Sequence, residues 1–248
     1  MKLTSNTVFI TGGGTGIGLG LAQAFLTEGN TVIISGRRKD VLDKAVSENE
    51  GLIAVELDVT NQDQVATVTE QLFRDYPNLN VLMNNAGFAA SEDLLKADYI
   101  NTSAQIMNTN YLGTLRVTAA FTPHLLKQKD STIITMSSGT GYVPAASVPT
   151  YSASKAAIHS FSESLRWQLH ATNVQVIEIA PPAVSDTEFL ESSVRGFGMN
   201  LDAFINETMH ILKTNPDAKQ VYVHDVHIWR FAERDGKYDE AFQLMNEH

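Results

Sequence analysis

Short apolar runs alternate along most of the chain with longer segments in which apolar residues recur every three or four positions. The runs "TVFIT" (7–11), "TVIIS" (31–35), "LIAVELDV" (52–59), "NVLMNNAG" (80–87), "STIITMSSG" (131–139) and "NVQVIEIA" (173–180) predict strands. The segments between them predict helices. One spans 16–29, with Ile17, Leu21, Phe25 and Leu26 on one face and Gly29 as its stop. A short one is capped by Asp40 and ends near Gly51, and another over 61–77 is stopped by Pro77. A long helical region covers about 98–128, where Pro123 predicts a bend, and a further helix covers about 151–170. The tail from 185 is less periodic and holds one more strand candidate, "KQVYVHD" (219–225). Strands that are apolar almost throughout need cover on both faces, which implies a parallel sheet between two helical layers. Right-handed crossovers make that sheet doubly wound, with about seven strands. No linker, repeat or low-complexity segment interrupts the pattern, so 1–248 is read as one α/β domain.

Composition narrows the classes of function. The net charge is −10 and the basic residues are scattered, which disfavours nucleic acid and anionic membrane surfaces as partners. Cysteine is absent, which removes disulfides, thiolate nucleophiles and Cys-ligated metals. The N-terminal apolar run is too short and polar for a signal peptide, and no stretch reaches the roughly 18–20 apolar residues of a membrane span. The expectation is a soluble cytoplasmic protein.

The loop "TGGGTGIG" (11–18) lies between the first strand and the first helix. Gly12, Gly16 and Gly18, with Thr15 and Ile17 between them, make it thin enough for a pyrophosphate to reach the helix N-terminus. Glycines also serve plain tight turns; the strand–glycine–helix context favours a dinucleotide. At the end of the second strand, "ISGRR" (34–38) puts Gly36 where an NAD site carries an acid, and Arg37 and Arg38 follow. A guanidinium suits a 2′-phosphate, so the expected cofactor is NADP, with Arg37 on the phosphate and Arg38 or Ser35 assisting. The alternative is two solvated loop arginines. In "YSASK" (151–155), Tyr151 and Lys155 fall on one helical face with only small residues between. A nearby cation would lower the phenol's pKa toward the range of useful proton transfer.

The order "TGGGTGIG", "LDVT" (57–60), "NNAG" (84–87), "MNTNYLG", "SSG" (137–139) and "YSASK" resembles the short-chain dehydrogenase/reductase family, compact single-domain type, from the first strand to about residue 187. The resemblance implies a Rossmann fold and an NADP-dependent oxidoreductase acting on a carbonyl or alcohol. It implies Tyr151 as general acid/base, Lys155 on the nicotinamide ribose, Ser138 on the substrate oxygen, and Asn110 distorting the long helix and supporting a water chain to Lys155. Ser137 is the competing serine, but the thirteen-residue spacing to Tyr151 favours Ser138. Asp58 would accept from the adenine amino group with Val59 on the ring. Asn84, Asn85, Ala86 and Gly87 would lie beside the adenosine ribose, and Asn84 serves equally well as a structural tie between central strands. After the sixth strand, "PPAVSDT" (181–187) departs from the family's Pro-Gly-x-Val-x-Thr. Val184 keeps its place at the nicotinamide carboxamide, whereas Pro182 replaces glycine and Thr187 comes one position late. The Pro-Pro variant, with "FTPHLLKQ" (121–128), looks like a bacterial subgroup associated with lipoteichoic-acid D-alanylation.

For the substrate pocket, "GTGYVPAASV" (139–148) and the segment 185–215, with Phe189, Phe197, Met199 and Phe204, supply mostly apolar walls, although core packing explains scattered aromatics more often than ligand contact does. His159 reads as packed rather than catalytic, and His224 and His227 lack the partners for a metal site. Leu112, Leu115, Val117, Phe121 and Leu125 offer more apolar surface than one sheet face consumes, and the family commonly dimerises through these two helices. A homodimer or homotetramer is therefore expected. Two other classes compete: a cofactor-sensing regulatory protein on the same fold, and a nucleotide-sugar epimerase or dehydratase. The retained Tyr151 and Lys155 count against the first, and the short C-terminal region counts against the second.

Overall fold

The computed structural model describes residues 1–185 and 198–247. Seven parallel strands form one sheet in the order β3-β2-β1-β4-β5-β6-β7. They are β1 (Thr7–Thr11), β2 (Thr31–Gly36), β3 (Leu52–Glu56), β4 (Val81–Asn84), β5 (Ser131–Met136), β6 (Val174–Ile179) and β7 (Gln220–Val221). The strands end earlier than the apolar runs suggested. Leu57, Val59 and the stretches after Asn84 and Met136 leave the ladder, and those departures form the rim of the site.

Helices α1 (Gly16–Thr27), α2 (Lys39–Glu48) and α3 (Gln62–Asp75) follow the first three strands. Arg38, not Asp40, is the N-cap residue of α2; Asp40 sits in its first turn, where a carboxylate faces the positive end of the helix dipole. The long helical region is three pieces: α4 (Ile100–Met107), a π-helical stretch (Asn108–Gly113) and α5 (Thr114–Leu125). Its irregularity lies at Asn110; Pro123 sits near the end of α5. Helix α6 (Pro149–Gln168) begins at a proline, whose missing N–H costs nothing in the first turn. Three helices in the tail were not foreseen: α7 (Leu201–Thr214), α8 (His227–Arg230) and α9 (Tyr238–Asn246).

Each sheet face carries its own core. Leu21 and Phe25 of α1 pack with Val8, Ile10, Ile34, Met83 and Phe204 on one side. On the other, Phe9 stacks on Phe121 at 5.1 Å, and Phe73 meets Phe121 edge-on at 5.2 Å. Phe204, expected as a pocket wall, is fully buried in the first core. Val117, Phe121 and Leu125 are likewise consumed by the second core. The apolar surface left between α5 and α6 is therefore a groove of about 480 Å³ formed by Leu115, Ala119, Thr122, Pro123, Phe161 and Leu165. Among the described residues no helix is long and apolar enough to cross a membrane.

The strand order reverses between β1 and β4, which opens a crevice beyond their C-terminal ends.

Candidate active site

The glycine loop lies flush against the end of β4. Gly12 and Gly16 have φ of 64° and 53°, a region that favours glycine. A Cβ on Gly12 would stand 2.8 Å from Ala86 Cα, and one on Gly18 would stand 2.3 Å from the Gly12 carbonyl oxygen. Asn85 Nδ2 donates to the carbonyls of Thr11 (3.0 Å) and Gly12 (2.9 Å), while Thr11 Oγ1 accepts from the N–H groups of Asn85 and Ala86. The Asn85 amide nitrogen therefore holds the loop in shape. Thr15, the N-cap residue of α1, makes no side-chain cap, whereas Asn61 caps α3 and Asn200 caps α7. The first-turn N–H groups of α1, including Ile17, are thus left for an external acceptor such as a diphosphate.

Arg37 and Arg38 are exposed at the β2–α2 turn. A Cβ on Gly36 would meet Leu42 Cδ2 at 3.6 Å, an ordinary contact, so packing does not require glycine there. Ser35 is buried and donates to the Ile10 carbonyl at 3.5 Å, which takes it away from the assisting role expected of it. Asp58 Oδ1 accepts from the N–H and hydroxyl of Thr60 at 2.9 and 2.7 Å. Val59 packs on Gly113 of the π stretch. Asn84 donates to Thr118 Oγ1 at 3.0 Å, so its tie runs to α5 instead of between strands.

Ser138, Tyr151, Lys155 and Asn110 converge beside Gly87. Asn110, fully buried in the π stretch, accepts from the Phe88 N–H at 2.9 Å. It donates to the Phe88 carbonyl at 3.0 Å and to Ser154 Oγ at 3.1 Å. Ser154 Oγ donates in turn to the Tyr151 carbonyl at 2.7 Å, so the helical distortion is coupled to the backbone that carries the tyrosine. A Cβ on Gly87 would lie 3.1 Å from Asn110 Oδ1 and 3.8 Å from Lys155 Nζ, space that only glycine leaves open. Ser138 hydrogen-bonds Tyr151, and its Oγ accepts from the Thr140 N–H at 3.2 Å and hydroxyl at 3.1 Å.

The electrostatics differ from the expected lowering of the Tyr151 pKa. Burial pushes the phenol up to about 12, against the opposing Ser138 hydrogen bond. Burial also pushes Lys155 down to about 8. Lys155 Nζ donates to the Met136 carbonyl at 2.7 Å and lies 5.5 Å from the Tyr151 ring centroid. The Lys155 nitrogen therefore sits over the ring, and burial is the dominant influence on both groups.

Val184 bridges Met199, and the Ser185 N–H donates to the Met199 carbonyl at 2.8 Å. Thr187, Phe189 and Phe197 lie outside the described residues. Two residues of the segment after Ser138 are taken up inside the fold. Val143 is buried against Ala232 and Ala241, and Tyr142 enters a polar cluster around Glu178, fully buried on β6. Sequence reasoning missed Glu178. Its signal was a carboxylate inside the apolar strand "VQVIEIA"; in the fold His159 Nδ1 lies 2.8 Å from Glu178 Oε2 and 3.4 Å from the Tyr142 hydroxyl. Among the described residues no group of three His, Cys, Asp or Glu is placed to hold a metal.

Comparison with known proteins agrees with this geometry. A family model described as short chain dehydrogenase matches residues 6–196. An uncharacterized oxidoreductase of Bacillus subtilis strain 168, DltE, is 39% identical over 99% of this chain and 98% of its own length. The NADP-dependent 3-hydroxy acid dehydrogenase YdfG of Shigella flexneri is 31% identical over 76% of this chain and 77% of its own. A short-chain dehydrogenase from Burkholderia cenocepacia J2315, solved in complex with NADP, superposes with a TM-score of 0.83 at 27% identity, covering 97% of this chain and 98% of its own. With its sheet order, glycine loop and Tyr-x-x-x-Lys helix all in register with that family, the chain belongs to the short-chain dehydrogenases, a family of oxidoreductases.

Proposed function

We propose that the protein is an NADP-dependent oxidoreductase that moves a hydride between the nicotinamide and a carbonyl or alcohol. The observation that carries this is Tyr151 held between the Ser138 hydrogen bond and Lys155, with Lys155 also beside Gly87 and the N-terminus of α1 free of a side-chain cap. NADP-bound and NADP-dependent relatives support the choice of cofactor.

The residues fit a dinucleotide. Gly12, Thr15, Gly16, Ile17 and Gly18 would hold the diphosphate, and Arg37 with Arg38 the 2′-phosphate. Asp58 and Val59 would face the adenine, Ala86 and Gly87 its ribose, and Val184 with Thr187 the carboxamide. When bound, the dinucleotide supplies or accepts the hydride. Ser138 then donates a hydrogen bond to the substrate oxygen, and Tyr151 gives that oxygen a proton as the carbon is reduced. A phenol held near 12 carries its proton at neutral pH, so the proton is present to be transferred. Lys155 orients the nicotinamide ribose, and Asn110 keeps the π stretch open behind it.

The similarity to YdfG, an NADP-dependent 3-hydroxy acid dehydrogenase, makes 3-hydroxy acids and their 3-oxo counterparts the first substrates to try. The groove between α5 and α6 fits a second copy of the chain, giving a homodimer or homotetramer. The absence of cysteine accords with a cytoplasmic setting. A panel of 3-oxo acids, 3-hydroxy acids, aldehydes and ketones, followed by NADPH absorbance at fixed enzyme, tests the proposal. Turnover of at least one panel member is expected. Tight NADPH binding with no turnover across the panel would point instead to a cofactor sensor.

A further inference from the structure

Glu178 is a fully buried carboxylate in a strand whose neighbours Val176, Ile177 and Ile179 are apolar. Desolvating a carboxylate costs several kcal/mol unless its oxygens are well satisfied, so packing alone does not explain a charge here. Its oxygens receive donors from four separate elements. Oε1 accepts from Ser137 Oγ at 2.6 Å and from Tyr142 OH at 2.9 Å. Oε2 accepts from His159 Nδ1 at 2.8 Å and from Gln220 Nε2 at 3.1 Å.

The chain of donors continues outward. Tyr142 commits its one proton to Glu178, so the Tyr222 hydroxyl, 3.1 Å away, donates to Tyr142. Arg230 Nε then donates to Tyr222 OH at 2.8 Å, with its guanidinium 4.9 Å from the Tyr142 ring centroid. Every group in this array donates toward one acceptor, which is the arrangement an ionised carboxylate organises. Although burial opposes ionisation, the hydrogen bonds and charge of His159, with the Ser137 and Tyr142 hydroxyls, hold the carboxyl below its ordinary value.

Two of those donors have a special place in the chain. Ser137 immediately precedes Ser138, and Tyr142 immediately follows the 3-10 turn Gly139–Gly141. One carboxylate thus grips both ends of the short turn that presents Ser138. Backbone bonds complete the grip: the Ser137 N–H donates to the Ile179 carbonyl at 2.9 Å and the Gly139 N–H to the Pro181 carbonyl at 2.8 Å. On its outer side the turn is pressed by α8, since a Cβ on Gly139 would stand 2.9 Å from Trp229 Cδ1.

We propose that Glu178 is a positioning residue for the hydride-transfer reaction, fixing the Ser138 hydroxyl against Tyr151 by clamping Ser137 and Tyr142 together. This rests on the proposed role of Ser138. Misplacing a catalytic group by about 1 Å costs on the order of 100-fold in rate, so loosening this clamp should be visible in kcat.

The test uses the full-length protein with NADPH and the best carbonyl of the panel, in Glu178→Gln, Ser138→Ala and the double variant. Glu178→Gln should lower kcat roughly 10- to 100-fold while leaving the NADPH Kd, read by fluorescence, within about two-fold. In the Ser138→Ala background the same change should cost less than about two-fold, because the group it positions is gone. Equal losses in both backgrounds, or a weakened NADPH Kd, would make Glu178 a general structural residue and overturn the proposal. Tyr142→Phe removes one donor but keeps the ring; it should show the same background dependence at a few-fold, and an unchanged kcat would contradict the clamp. Hydrogen exchange of the 137–142 segment needs no substrate and separates this proposal from the assigned function. Exchange should quicken there in Glu178→Gln while β1 and β4 are unaffected, and unchanged protection at 137–142 overturns the clamp even if the enzyme is active.

Discussion

Tyr151 and Lys155 show how burial sets the chemistry of a motif. The sequence places them one helical turn apart, which suggests a cation lowering a phenol pKa. In the folded chain both are buried, and each is pushed toward its neutral form. This has a consequence for stability. Lys155 has a folded pKa of about 8, against an ordinary 10.5, so between those values the unfolded chain binds more protons than the folded one. Stability then rises with pH across that window and is lost as pH falls through it. Lys155→Met removes the titrating group, so the wild type should gain thermal stability relative to Lys155→Met between pH 8 and about 10.5. Parallel melting curves against pH, without cofactor, check it; a constant difference would contradict a buried, depressed lysine.

Elements carry the specificity. The turn after β2 was legible because a missing acid and two arginines are both visible in "ISGRR". Only the structure shows that Gly36 has room for a side chain. Gly36→Asp should fit without unfolding and repel a 2′-phosphate, weakening NADPH binding at least 10-fold while improving NADH. Arg37→Ala should weaken NADPH binding about 10- to 100-fold, since a charge-assisted hydrogen bond contributes roughly 1.5–3 kcal/mol, with little change for NADH. Titration of both cofactors against both variants measures this, and an unchanged preference in either would remove the turn from phosphate recognition. The π stretch was legible only through the family resemblance, which implied that Asn110 distorts the long helix. Pro123 drew the expected bend because it is the recognised breaker, but a proline near a helix end disturbs little. The distortion comes from Asn110, whose amide leaves the helix surface to bond Phe88 and Ser154.

For the molecule as a whole, the parallel sheet and its helical cover followed from periodicity, because β-branched runs and amphipathic helices report burial directly, whereas the strand order came only with the fold. The region after 185 did not, since α7 spends its apolar residues on a second contact with α1 and interleaves them with polar ones. Glu178 was hidden for a similar reason: four of its partners are distant in sequence and meet only in the fold. The apolar face expected for assembly was mostly core, and the groove that remains centres on Phe161 and Leu165 of α6 and Leu115 of α5. Phe161→Glu places a charge there without touching the sheet. Light scattering should show the wild type as a dimer or tetramer and Phe161→Glu as a monomer of 27.2 kDa. A monomeric wild type at micromolar concentration would refute that assembly.

The central claim is that this fold carries a hydride to a carbonyl carbon with Tyr151 supplying the proton. The most direct measurement is transfer of deuterium from NADPH carrying deuterium at both nicotinamide C4 positions, with the alcohol product read by mass spectrometry. Wild type should place one deuterium on the carbinol carbon, and Tyr151→Phe should do so at least about 100-fold more slowly while binding NADPH normally. An unlabelled product, or transfer by Tyr151→Phe within a few-fold of wild type, would contradict it.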